Sequence, residues 1–348
     1  MANVKQVAER AGASPATVSR VLNGVPGVTP DLRGRVLLAA AELDYRPNRI
    51  ASNFRRQKTA TIGVVISDIE NPHFSQMVRT IEAAAFDRGY RVLLCNTDEL
   101  ASKQQAYLEV LAAERVEGVI LVPIDSASGE VGRLIDLGIP VVALDRVVSE
   151  PRADAVVIDN AGGVRRAVEL LLDAGQERIG FVGGWPTIQT GAERLTGYEA
   201  AMRSRGALPR SALGDFRIAG GQAATEEVLD ANPSLTALVV GNNLMTIGAL
   251  HALRARGLRI PEDIALVAID DPFWTEFIDP PLTCMAQPTQ QMATSSVELL
   301  FERLGPNART QSRHLVYSFE LHVRGSCGTA GPRRSDRQTA LASSPPLP

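Results

Sequence analysis

Between residues 59 and 325 the chain repeats one alternation, a short β-branched or aliphatic run followed by a longer stretch of helical periodicity. The runs are Ile62–Ile66, Val92–Cys95, Gly118–Val122, Pro140–Leu144, Ile179–Val182, Ala237–Val240 and Ile264–Ile269. Strands apolar on both faces need helices on both sides, so the runs predict buried parallel strands. The segments between, such as 74–88 and 102–115, read as helices. The pattern predicts an α/β fold of two doubly wound, parallel-sheet lobes.

Ligands of such sheets sit beyond the carboxyl ends of the strands. The polar residues following each run are therefore the candidates: Ser67-Asp68, Asp145-Arg146, Gly183-Gly184, Gly241-Asn242-Asn243 and Asp270-Asp271. Any one of them could be a helix cap or a turn residue. Gathered at one edge of two facing sheets, they offer the carboxylates, amide and guanidinium that a polyhydroxylated ligand needs over an apolar floor. An enzyme using Asp270 and Asp271 as an acid/base pair is the alternative. The sequence contains no phosphate-binding loop, no Gly-x-Ser-x-Gly elbow and no metal-ligand spacing, so no catalytic residue, metal or cofactor is expected.

The first 58 residues differ in charge: ten Lys/Arg stand against four Asp/Glu, while the whole chain is −3. That asymmetry points to a polyanionic partner at one end only. Val4, Val7, Ala8 and Ala11, closed by Gly12, have helical spacing. A second helix is bounded by Ser14 as N-cap, Pro15 at the first position and Asn23-Gly24 as stop, with Val18, Val21 and Leu22 on its buried face. A third helix follows from Thr29-Pro30, with Leu32, Val36, Ala39, Ala40 and Leu43 as its stripe. Two short helices about a Gly turn form a helix-turn-helix, whose second helix can enter the DNA major groove. Pro15 and Ala16 permit close approach, and Arg20 can donate twice to guanine O6/N7. Asn3, Ser14, Thr17, Ser19 and Asn23 are expected to reach phosphates, which position the protein without specifying sequence. Alone, the same pattern would also fit a ligand-free three-helix bundle.

Residues 45–58 are basic and too short for an independently stable helix. Ile50, Ala51 and Phe54 nevertheless share a helical face, so a helix that orders on DNA is expected, with Asn48 and Ala51 near the duplex. Phe54 would be an apolar wedge in the minor groove.

Val7–Ser14, Thr17–Asn23 and Tyr45-Arg46-Pro47-Asn48 match, almost residue for residue, the headpiece of the LacI/GalR family of bacterial transcription regulators, which this chain resembles. The resemblance implies a homodimer on a pseudo-palindromic double-stranded operator, and a sensor similar to periplasmic sugar-binding proteins. It divides the chain into a headpiece (1–46), a hinge (47–58) and a sensor (59–325). Lobe one of the sensor covers about 59–157 and 289–316, lobe two about 158–288 and 317–325. By matching motifs, His73, Phe74, Asp145, Arg194, Phe216, Asn242, Asp270 and Gln287 take the positions of effector-contacting residues, with a sugar or sugar derivative as the expected effector. The chain departs from the family's usual pattern at Phe54 (usually Leu), at Gly34 within the third helix, at His73, at Asn243 (commonly Asp) and at Thr283–Ala286.

Cys95, Cys284 and Cys327 suit reduced thiols. No apolar run is long enough to span a membrane, and a cytoplasmic location is expected. Residues 326–348, rich in Ser, Pro, Arg and Gly, read as a disordered tail. The sequence thus predicts an effector-controlled transcription regulator, a repressor, with an effector-free architectural DNA binder or a transport-type binding protein as competitors.

Overall fold

Parallel strands pair in the registers that their apolar runs anticipate. In the computed structural model, which describes residues 3–22, 26–45, 59–127, 129–305 and 309–328, the chain divides into residues 1–59 and 60–348.

The first unit holds α1 (Val4–Ala11), α2 (Pro15–Leu22) and α3 (Pro30–Glu42). α1 begins with a capping box, in which Asn3 Oδ1 accepts from the backbone of Lys5 and Gln6 while Gln6 Oε1 accepts from Asn3 N. Gly12 ends it in the left-handed region, at φ 61°. Val7, Ala8, Ala11, Val18, Val21, Val36, Ala39 and Ala40 form the core, with Leu22 and Leu43 packed at its margin. Leu32 is half-buried, and Thr29 makes no side-chain cap.

The second unit alternates strand and helix. β1 (Thr61–Ile66), β2 (Arg91–Asn96), β3 (Gly118–Leu121), β4 (Val141–Asp145) and β5 (Asp154–Ile158) are joined by α4 (Pro72–Phe86), α5 (Ala101–Ala113) and α6 (Gly129–Asp136). The chain then runs through α7 (Asn160–Asp173), β6 (Ile179–Gly183), α8 (Gln189–Ser204), β7 (Ser211–Leu213) and α9 (Ile218–Ala231). β8 (Ala237–Val240), α10 (Asn243–Ala255), β9 (Ala265–Ile269) and β10 (Thr283–Ala286) complete the second series. α11 (Thr289–Leu304), β11 (His314–Tyr317) and β12 (Glu320–His322) close the fold. One six-stranded sheet has the order β11-β5-β4-β3-β1-β2, the other β12-β10-β9-β8-β6-β7. The first is wholly parallel; in the second only β12 runs antiparallel, against β10. The chain passes between the sheets three times, at 158–160, 286–289 and 317–320.

Two expectations are corrected. Val92–Cys95 is a strand but not a buried one: it lies at the sheet's edge, with Leu93 and Leu94 39% and 44% exposed. Ser326 and Cys327 do not belong to a tail. They form a buried 3-10 turn, in which Ser326 Oγ donates to Leu266 C=O and accepts from Thr283 N. Asn23, the 47–58 hinge with Asn48, Ala51 and Phe54, and residues 329–348 lie outside the described residues.

α8 is held on the sheet by Tyr198, fully buried, stacked on Phe181 at 5.1 Å, with its hydroxyl bonded to Ile179 C=O and Arg210 N. Beside it, Gly197 lets α8 touch α7, because a Cβ there would stand 2.3 Å from the Ala161 carbonyl oxygen. Gly197→Ala is expected to cost about 1–3 kcal/mol, since a backbone neighbour cannot yield as a side-chain tip can. Urea unfolding checks this, and an unchanged midpoint would refute the close contact.

Candidate functional site

On α2, Ser14 Oγ accepts from Thr17 N at 3.1 Å and pairs with the Thr17 hydroxyl at 2.9 Å. The cap predicted from Ser14 is thus formed, and the two hydroxyls engage one another. Burying Val18 and Val21 turns Pro15, Ala16 and Arg20 outward, all exposed, while Thr17 and Ser19 are half-buried. Asn3 spends its side-chain oxygen on the α1 cap. The α2 face therefore offers small residues first and a long cationic donor one turn later.

In the second unit a cleft lies where strands of both sheets end. His73, Phe74, Asp145, Arg194, Phe216, Asn242, Asp270 and Gln287, the eight residues singled out from the sequence, all line it. Each arrives by its own local device. β4 ends in Asp145 and β9 is followed by Asp270, at φ 69° and 72°, left-handed conformations unusual for residues with a Cβ. Phe216, at φ 64°, is fixed by Asn242 Nδ2 donating to its carbonyl at 3.0 Å. Asn242 Oδ1 in turn caps α10 by accepting from Met245 N. Its amide is therefore committed to shaping the cleft.

Asn71 caps α4 by accepting from His73 N at 3.0 Å, which sets His73 and Phe74 in the first turn, their rings edge to face. His73 is buried. Its Nδ1 meets the Thr289 hydroxyl at 3.3 Å, and its Nε2 has no hydrogen-bond partner and lies 3.8 Å from Asp145 Oδ1. Arg194 Nε donates to Asn160 Oδ1 at 2.8 Å and Nη1 to Gly241 C=O at 2.6 Å. Gln287, on a crossover, donates to Asp270 Oδ1 at 2.7 Å, leaving its own Oε1 buried without a partner.

Charge is balanced locally. Arg146, on the strand end beside Asp145, holds Glu99 with two bonds of 2.6 and 2.7 Å, and its Nε stands 3.5 Å from Asp145. Burial alone would raise the Asp145 pKa, but His73 beside it and the positive charges of Arg146 and Arg194 hold its carboxyl below the usual range. Asp271, the next residue, has its own set of partners. It takes two bonds from Arg324 at 2.7 Å and one from His322 at 2.6 Å. Burial opposes its ionisation, and those bonds with Thr275 hold it well below the carboxylate range. Asp271 is thus committed to an ion-pair cluster, while Asp270 lines the cleft.

Asn71, Glu99, Thr190 and Arg217 also line the cleft and were missed from the sequence. The strand-end rule, applied to β2, would have reached Glu99, three residues beyond its last residue. Asn71 carried the signal of an Asx cap before proline. Thr190 and Arg217, on helix starts, carried none. Among the described residues no cluster of three or more His, Cys, Asp or Glu could hold a metal, and no helix is long and apolar enough to cross a membrane.

Residues 3–48 match the family model described as bacterial regulatory proteins, lacI family, and residues 59–322 match that of periplasmic binding proteins and the sugar binding domain of the LacI family. The chain belongs to the LacI family. It is accordingly a DNA-binding transcription regulator with an effector-binding domain. Among its relatives is the HTH-type transcriptional regulator CelR of Thermobifida fusca, 34% identical over 93% of this chain and 97% of that protein. Similar solved structures include a CelR–cellobiose complex, with 33% identity, TM-score 0.70, and 94% of this chain and all of that one covered. The lac repressor dimer bound to operator and the anti-inducer ONPF is 27% identical, with TM-score 0.82 over 94% of this chain and 99% of that one.

The acid pairing of Asp271 has a consequence for stability. Its folded pKa lies below the unfolded value of about 3.9, so its bonds stabilise the fold above that pH and are lost as pH falls through the folded value. Asp271→Asn should lower the urea midpoint at neutral pH and flatten its decline below about pH 4. A decline parallel to the parent's would contradict this.

Proposed function

We propose that the protein is a repressor, acting as a homodimer on a pseudo-palindromic operator, and that a sugar-class effector held by the eight cleft residues controls its grip on DNA. The observation carrying this reading is their convergence: residues from α4, β4, α8, the turns after β7, β8 and β9, and one interlobe connection meet in one cleft. The likeness to a regulator solved with cellobiose supports a carbohydrate. The lac repressor structure, a dimer on operator, supports the partner and the assembly. In this reading the headpiece spans 1–46, the hinge 47–58 and the two-lobed sensor 59–325. It acts in the cytoplasm, at the nucleoid, by binding without turnover, a reading supported by the commitment of Asp271 to Arg324 and His322. An effector that favours one lobe arrangement by about 1–3 kcal/mol suffices for ordinary allosteric control.

Two variants test the two ends. Arg20→Ala should cost about 1–3 kcal/mol per half-site at the operator and spare weak non-specific binding. Fluorescence anisotropy on operator and scrambled DNA checks it, and an equal loss on both would rule out base readout by Arg20. Calorimetry against a sugar panel that includes cellobiose should lose its binding heat with Arg194→Ala. Full heat in that variant would remove the cleft from the effector's path.

A further inference from the structure

Val147, just beyond β4 of the first sheet, donates its backbone N–H at 2.8 Å to Gln189 Oε1, on the first residue of α8 beside the second sheet. That bond ties the two lobes. Gln189 Nε2 donates at 2.7 Å to Glu193 Oε1, one turn along the helix, and Glu193 Oε2 accepts from Asn160 Nδ2 at 2.9 Å. Asn160 Oδ1 accepts from Arg194 Nε at 2.8 Å, and Arg194 Nη1 reaches Gly241 C=O at 2.6 Å. The bonds form one line from the interlobe tie to the guanidinium in the cleft.

A single group fixes the polarity of that line. An ionised carboxylate only accepts, so Glu193 holds the NH2 of both neighbouring amides toward itself. Gln189 must then turn its oxygen to Val147 N, and Asn160 must turn its oxygen to Arg194 Nε. Asn160 and Arg194 are buried, so water offers them little substitute, whereas Val147, Gln189 and Glu193 are half-buried. Asn160 is also the first residue of α7, at the end of the crossover at 158–160 where the chain passes between the lobes. Of the side chains in the line, Arg194 lines the cleft, while Gln189, Glu193 and Asn160 lie outside its lining.

We infer that Gln189, Glu193 and Asn160 are positioning residues that couple the orientation of Arg194 to closure of the lobes. An effector held by Arg194 strengthens the Val147–Gln189 tie, and by reciprocity the tie raises the affinity for effector. This rests on the cleft being the effector site.

The polarity of the line dictates which substitutions break it and which restore it. In Glu193→Gln one amide NH2 must meet another, and the half-buried end at Val147 yields before the buried end at Asn160. In the double variant Gln189→Glu/Glu193→Gln every bond is available again: the new carboxylate accepts from Val147 N and from the new amide, whose oxygen accepts from Asn160.

Hydrogen exchange of the full-length protein, read by mass spectrometry on the segment containing Val147, tests this without ligand. Exchange there should rise roughly fivefold in Glu193→Gln and in Gln189→Ala, the effect of one neutral hydrogen bond, and return to the parent's rate in the double variant. It should rise as well in Arg194→Ala, which touches neither Val147 nor Gln189. A rate at Val147 unchanged in Glu193→Gln, or left high in the double variant, overturns the relay, and a rate unchanged in Arg194→Ala overturns its coupling to the cleft. Calorimetry with cellobiose separates the relay from the reading beneath it. Binding should weaken roughly fivefold in Glu193→Gln and recover in the double variant. Heat lost in Arg194→Ala but untouched in Glu193→Gln refutes the positioning role, whereas heat that survives Arg194→Ala removes the cleft as the effector site.

Discussion

A parallel sheet delivers the carboxyl ends of all its strands to one edge, and the site depends on that constraint. The eleven parallel strands of the two sheets carry residues far apart in sequence to two facing rims. Arg194 and Asp145, 49 positions apart, are neighbours because the backbone direction of β4 and β6 leaves little other choice. Left-handed turns at Asp145, Phe216 and Asp270 then swing side chains from the rim into the gap. Such conformations cost of order 1 kcal/mol or more each and persist only where the surroundings over-determine them. Here the bond from Asn242 to Phe216 and the bonds of Gln287 and Asn243 to Asp270 do so.

The strands were legible because burial on two faces leaves an unbroken apolar run. What such runs cannot say is which strand ends up at an edge. Val92–Cys95 resembles the central runs, yet topology places β2 outermost, where Leu93 and Leu94 meet solvent. Short strands defined by a neighbour rather than by their own pattern, such as β7 and β12, carry too few residues for a period to show. The same limit hid the turn at Ser326, whose burial depends on a hydroxyl bridging Leu266 and Thr283.

At the cleft, residue identity was easier to read than residue duty. Asn242 stood out as an amide at a strand end, but its oxygen and one of its hydrogens are spent on a helix cap and on Phe216. Glu99 escaped notice because an acid in the loop after an edge strand, beside Asp98, looks like any exposed loop residue until Arg146 is seen to grip it. Asn3 shows the same division in the headpiece, where a polar residue suited to a phosphate is also the one that starts α1.

Among the contacts that span the gap, one joins two helix starts: Asn243 Nδ2, at the start of α10, donates to Asn71 Oδ1, at the start of α4, at 2.9 Å. Both partners are neutral amides, whereas aspartate is common in the family at the first of these positions. A clasp made of two amides has no titrating group and is little screened by dissolved ions. The grip of a basic headpiece on DNA weakens steeply as salt rises. Ionic strength therefore acts on the reading end of this regulator while leaving this amide clasp untouched.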